Sequence, residues 1–217
     1  MSLPAPKARS ARHGGSLPGT VALVDYGAGN LRSVENALRE VGASVVVTHD
    51  PDAVSKADRV VVPGQGSMPE CAAAMQRSGV ADALREAVRR GRPVLGICVG
   101  LQLLFEDGDE AGGAKGLGLL PGRIARLPAD VKLPHIGWSP VRHVGGEDPL
   151  FAPMDGQYVY FAHSYAAPAD APGAALLATH GRPYCAALAK DNLYATQFHP
   201  EKSQQVGLAL LERFVHV

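Results

Sequence analysis

No apolar run in this 217-residue chain approaches the roughly 20 residues that a bilayer-spanning helix requires. Neither sign of charge is in excess. Twenty-one Lys and Arg balance 21 Asp and Glu, and the basic residues are scattered. That is not the electrostatic footprint of a nucleic-acid or anionic-membrane binder. Cysteine is scarce: Cys71, Cys98 and Cys185 are an odd number at spacings unlike a metal site. This argues against a disulfide framework and fits a reducing, cytoplasmic setting. Residues 1–18 lack the hydrophobic segment of a secretory leader and the apolar density to pack. They read as a disordered tail before a single domain over 19–217.

From Val21 the texture changes. VALVDY, SVVVTHD, ADRVVVP and PVLGIC read as strands that are apolar throughout. Between them, LRSVENALREVG, PECAAAMQRS and VADALREAVRRG have helical spacing, the first and last closing on Gly42 and Gly91. VGLQLLFED is expected to continue as a helix after the fourth strand. This alternation predicts an α/β fold with a mostly parallel sheet covered by helices on both faces. Beyond residue 110, short strands separated by Gly, Pro and Asp turns predict antiparallel strands appended to a mixed sheet. EKSQQVGLALLERFVHV, with Val206, Leu210 and Phe214 at helical spacing, closes the chain.

Cys98 sits between Gly96 and Gly100 where an apolar strand meets an apolar helix. A buried structural cysteine needs no flanking glycines, whereas a nucleophile held on a sharp strand-to-helix turn does. The helix start directs free N–H groups at the sulfur, which favours thiolate, and the Val99 amide is placed to donate to an oxyanion. A nucleophile needs a base and the base an orienter. In TQFHPEKS, an extended chain puts His199 and Glu201 on one face with Pro200 pointing away, so the carboxylate can fix the imidazole tautomer. His163 in FAHSY is the one serious rival as base. Gly64-Gln65-Gly66, after the third strand, lies on the same sheet edge as Cys98 if the strands are parallel neighbours, and its amides complete an oxyanion hole.

DYGAGN offers a competing lead. Gly27-x-Gly29 with Asp50 downstream has part of a dinucleotide fingerprint, but Arg32 occupies its third small position. Taken alone, each signal has a plain structural explanation: a core cysteine, a solvated His-Pro-Glu turn, an ordinary loop.

Together and in this order, PGQGS, LGICVGLQLLFE and TQFHPEKS resemble the class I glutamine amidotransferases. DYGAGNLRSV, GLGLLPGRI, PHIGW and YFAHSY extend the resemblance to the glutaminase subunits of imidazole glycerol phosphate synthase, an enzyme of histidine biosynthesis. The resemblance implies a flavodoxin-like amidotransferase fold, a triad of Cys98, His199 and Glu201, and no cofactor or metal. It implies that Gly64, Gln65, Gly66, Val99 and Gln102 surround the glutamine amide and its oxyanion. It assigns Glu110, His163, Ser164 and Tyr165 to the amino-acid end of glutamine. It also implies a (β/α)₈-barrel cyclase partner, with Trp138 and the DYGAGN loop, including Asn30, facing it. Ser139 departs from the pattern, since relatives generally carry asparagine there. Cys71 and Cys185 are read as core residues. Three other readings are a glutaminase serving another synthase, such as the one making pyridoxal phosphate, a non-catalytic module on the same fold, and a cysteine peptidase.

Overall fold

The structure, a computed structural model, describes residues 19–27, 30–146 and 148–217. The tail expected over 1–18 and positions 28 and 29 of the GAGN turn lie outside the described residues.

The first half alternates strand and helix: β1 (Thr20–Val24), α1 (Leu31–Glu40), β2 (Ser44–Thr48), α2 (Pro51–Lys56), β3 (Arg59–Val62), α3 (Met68–Arg77), α4 (Val80–Arg89), β4 (Val94–Ile97) and α5 (Val99–Leu103). Three short strands come next, β5 (Phe105–Gly108), β6 (Ala114–Lys115) and β7 (Leu120–Arg126), then β8 (His135–Pro140) and β9 (Arg142–His143). The chain closes with β10 (Tyr158–His163), β11 (Tyr165–Ala166), β12 (Ala174–His180), β13 (Arg182–Lys190), β14 (Leu193–Thr196) and α6 (Gln204–Phe214).

The main sheet runs β2-β1-β3-β4-β14-β13-β12-β9. Its first five strands are mutually parallel, and β13, β12 and β9 add on antiparallel. β8 pairs with β10, and β11-β7-β5-β6 form a third small sheet. α1 packs with α6, while α4 packs with α2 and α3. Right-handed crossovers from a 2-1-3-4 strand order place these two groups on opposite faces. The apolar spacing works as expected. Val34, Ala37 and Leu38 of α1 are buried, as are Val80, Ala81, Leu84 and Ala87 of α4. Gly42 and Gly91, at φ +85° and +74°, let the chain turn back after each helix.

Two local expectations are corrected, and one short helix went unread. The helix expected over VGLQLLFED stops at Leu103, because Phe105–Gly108 pairs with β7 and β6. α2 has only six residues, too few for periodicity to reveal, although Asp50 caps it and Pro51 opens it. Asp50 accepts from the Asp52 amide at 3.0 Å, the role of a helix cap. Strand β2 is a sheet edge, so Val46 and Val47 are exposed rather than covered.

Candidate active site

Strands β3, β4 and β14 are adjacent and parallel, so their C-terminal ends deliver three segments to one place. β4 runs directly into Cys98, the N-cap of α5, with φ 56° and ψ −107°. A non-glycine residue at such dihedrals is strained, and here the strain raises the side chain above the sheet. The first amides of α5 have no acceptor within the helix, whereas those of Leu101 and Gln102 reach the Cys98 carbonyl at 3.0 and 3.3 Å.

The flanking glycines are explained by backbone contact. A Cβ on Gly96 would sit 2.6 Å from the Gly100 carbonyl oxygen. One on Gly64 would sit 2.6 Å from the Gly100 nitrogen, and one on Gly100 would strike the Val62 carbonyl. The elbow and the Gly64 loop interlock through main chain, which leaves no room for side chains. Gly64 therefore stands behind the pocket, while Gln65 and Gly66 line it. Tyr26 donates its hydroxyl to the Pro63 carbonyl at 2.5 Å, and the Cys71 thiol reaches the Gln65 carbonyl at 3.5 Å. The trans peptide then aims the Gly66 N–H the other way.

β14 ends at Thr196, whose carbonyl accepts from the Cys98 amide at 2.7 Å. The segment beyond it is not a continuing strand, as the sequence reading supposed. His199 is extended, and Pro200–Lys202 form a single 3₁₀ turn. The turn still closes the pair: His199 Nδ1 lies 2.8 Å from Glu201 Oε1, with side chains 3% and 1% exposed. The His199 backbone is fixed from two sides, its N–H donating to the Tyr160 carbonyl and its carbonyl accepting from the Ser203 hydroxyl. With Nδ1 on Glu201, Nε2 is left for Cys98. Burial alone would lower the His199 pKa, but hydrogen bonds to Cys98 and Glu201 and their negative charge outweigh it and raise it to about 10. The second oxygen, Glu201 Oε2, is buried without a hydrogen-bond partner among the described residues.

A cavity of about 320 Å³ opens onto this pair. Its lining includes Gln65, Gly66, Cys98, Val99, Gln102, Glu110, His163, Ser164, Tyr165 and His199, whereas Gly64, Glu201, Asn30 and Trp138 are outside it. Glu110 Oε2 also accepts from the Met68 amide at 2.7 Å. His163 is no rival base. Its Nδ1 lies 3.0 Å from the Tyr165 carbonyl and its Nε2 3.3 Å from the Tyr184 hydroxyl. Burial takes its pKa down to about 3. Asn30 caps α1 without a side-chain hydrogen bond, away from the pocket lining. Trp138 is 44% exposed, stacked edge-on against Tyr160. Cys185 is a core thiol pushed by burial up to about 12, whereas Cys71 sits beneath the Gln65 loop.

Sequence reasoning missed Gln197, whose Nε2 points at Cys98 Sγ from 3.7 Å, and Tyr184, which reaches the pocket wall from β13. It also missed Lys202 and Pro134 in the lining. Lys202 could have been found as the neighbour of Glu201. Gln197 lies within TQFHPEKS, two residues before His199, and that motif was its only signal, whereas Tyr184 carries none. Among the described residues no group of three or more His, Cys, Asp or Glu is disposed to hold a metal ion.

Residues 22–217 match the family model described as glutamine amidotransferase class-I. The imidazole glycerol phosphate synthase subunit HisH of Syntrophotalea carbinolica is 45% identical over 203 residues, 89% of this chain and 98% of the relative. The imidazole glycerol phosphate synthase hisHF, chloroplastic, of Arabidopsis thaliana is 40% identical over 216 residues, 97% of this chain and 36% of that longer protein. A crystal structure of a glutamine amidotransferase superposes with a TM-score of 0.71 at 19% identity, covering 90% of this chain and 99% of the other, which supports the fold. The chain belongs to the class I glutamine amidotransferases, within the HisH subunits of imidazole glycerol phosphate synthase.

Proposed function

We propose that Cys98, His199 and Glu201 are a nucleophile, base and orienter that hydrolyse the side-chain amide of glutamine, and that residues 19–217 act as one amidotransferase domain. As a member of its family the chain is the glutaminase that supplies ammonia for imidazole glycerol phosphate synthesis in histidine biosynthesis. The observation that carries the triad assignment is the strained elbow at Cys98 facing a buried His199–Glu201 pair across one cavity.

In this reading the raised His199 pKa favours an imidazolium beside a Cys98 thiolate. The thiolate attacks the carboxamide carbon, a C–S bond forms, and the oxygen takes the negative charge. The Val99 amide and the Gln65–Gly66 loop stabilise that oxyanion, each donor being worth ~3 kcal/mol in the transition state. His199 Nε2–H protonates the departing nitrogen as the C–N bond breaks, releasing ammonia. Water then attacks the thioester with His199 taking its proton, and the Cys98 thiolate leaves as glutamate forms. Glu201 holds the Nδ1 proton and stabilises the imidazolium throughout. Glu110, His163, Ser164 and Tyr165 line the same cavity, and in this reading they hold the amino-acid end of glutamine.

The partner in this reading is a (β/α)₈-barrel cyclase, and the setting is cytoplasmic. The relative named hisHF, which extends well beyond the length of this chain, supports a companion domain. So does the surface. Ile136, Trp138 and Pro140 of β8 lie opposite Ala162, Tyr160 and Tyr158 of β10, an outward ribbon with Ile136 61% and Tyr158 58% exposed. Ala162 belongs to the cavity lining and to this ribbon, so a docked partner covers the mouth of the site. Ammonia is mostly protonated and non-nucleophilic near neutral pH, so a covered route has a chemical purpose. No helix among the described residues is long and apolar enough to cross a membrane.

Glutamate release, measured with and without the cyclase subunit and its nucleotide ligand, tests the reading. Release stimulated by the partner and abolished in Cys98→Ala supports it. Release undiminished in Cys98→Ala refutes the nucleophile.

A further inference from the structure

We propose that Tyr184 is a positioning residue within a hydrogen-bond network that links Ser139 to the sulfur of Cys98, its donors converging on the Tyr165 carbonyl from both sides. The catalytic meaning of the network rests on the glutaminase reading above; its proton arrangement does not.

The direction of every bond is forced. The Tyr165 carbonyl can only accept, so His163 Nδ1, 3.0 Å away, carries the proton. His163 and His135 are both neutral, since burial lowers their pKa values to about 3 and about 4. His163 Nε2 is therefore an acceptor, and the Tyr184 hydroxyl at 3.3 Å must donate to it. Having spent its one proton, the Tyr184 oxygen accepts from His135 Nδ1–H at 3.1 Å. His135 Nε2 then accepts from the Ser139 hydroxyl at 2.9 Å. His180 stacks on His135 at 4.2 Å between ring centroids and has its Nε2 on the Lys132 carbonyl, outside the network.

The chain of bonds continues inward. The Tyr165 carbonyl accepts a second proton, from Gln102 Nε2 at 3.0 Å. That fixes which end of the Gln102 amide is nitrogen. The same nitrogen reaches Gln197 Oε1 at 3.3 Å, which turns Gln197 Nε2 toward Cys98 Sγ. Seven polar groups thus orient one another from strand β8 to the nucleophile, with no donor facing a donor. Ser139, on the inner face of β8, is the outer terminus, one residue from exposed Trp138. An asparagine at that position also carries a donor for His135 Nε2.

Tyr184 is buried. Replacing it with phenylalanine keeps the ring and removes both the proton donated to His163 Nε2 and the acceptor that holds the proton on His135 Nδ1. His163, which lines the cavity and holds the Tyr165 carbonyl, is then left with a buried Nε2 that has no donor and loses one of the two contacts that fix its ring.

Two readouts test this. Nitrogen-15 spectra of the imidazoles in the wild-type chain should show the proton on Nδ1 of both His135 and His163 and no titration between pH 5 and 9. A proton on Nε2 of His163 overturns the network whether or not the chain hydrolyses glutamine. In Tyr184→Phe, KM for glutamine should rise roughly tenfold, the cost of about one buried hydrogen bond, while kcat changes less than about threefold. Unchanged KM, or a loss confined to kcat, overturns the assignment. Should that variant fail to fold, Ser139→Ala should raise KM by a smaller factor and Ser139→Asn should restore it. Equal KM in all three Ser139 forms overturns it as well. A wild-type chain without glutaminase activity but with the Nδ1–H tautomers rejects the proposed function and keeps the network's geometry.

Discussion

Acid should destabilise this protein through His163, and the size of the effect follows from its surroundings. His163 is 5% exposed, and burial takes its pKa from the ordinary 6.5 to about 3 in the folded chain. In the unfolded chain it titrates near 6.5. Between those values the unfolded state binds one more proton, so stability falls as pH drops through that window and is unaffected above it. Each pH unit is worth about 1.4 kcal/mol, so going from pH 6.5 to 4.5 removes ~2–3 kcal/mol. That is a sizeable part of a typical stability of about 5–15 kcal/mol. His135 contributes in the same direction. Carboxylates also titrate toward the bottom of this range, so the informative quantity is a difference. Urea unfolding followed by circular dichroism, for wild type and His163→Gln at several pH values, gives that difference directly. The wild-type slope should exceed the variant's by about 1.4 kcal/mol per pH unit below pH 6. Parallel slopes would refute a neutral, buried His163.

Further outcomes follow from the same geometry. Glu201→Gln should lower kcat by roughly a thousand- to ten-thousand-fold, because the tautomer and charge of His199 lose their support; steady-state kinetics showing a loss under tenfold would contradict the orienter role. Gly100→Ala should abolish activity and cost roughly 2 kcal/mol or more, since the added methyl meets the Val62 carbonyl; thermal unfolding checks the second part. Trp138→Ala should weaken cyclase binding by at least roughly 2 kcal/mol, by titration calorimetry, while leaving the melting temperature within a few degrees.

The site was legible where backbone geometry restricts residue choice. Gly64, Gly96 and Gly100 announce the elbow because main chain packs on main chain there, and no other residue fits. His199 and Glu201 were found by their spacing, though they meet through a 3₁₀ turn rather than along a strand. The parallel half was legible because its inner strands, β1, β3 and β4, are buried on both faces. What stayed hidden is contact between segments distant in sequence. Tyr184 joins His135 across 49 positions with nothing local to mark it, and Gln197 joins Cys98 across 99, a contact its place in TQFHPEKS does not reveal. Phe105–Gly108 continued a helical pattern until the partner strand β7, further along the chain, claimed it.

The most direct test of the account is the covalent intermediate. Glutamine mixed with the cyclase-bound chain, quenched in acid within one turnover and analysed by peptide mass spectrometry, should leave a glutamyl group on the peptide carrying Cys98. Its amount should rise when His199→Asn slows hydrolysis of the thioester more than its formation, and the adduct should be absent in Cys98→Ala. Glutamate formed at a normal rate with no adduct at Cys98 in any variant, or an adduct on Cys71 or Cys185 instead, would contradict the triad.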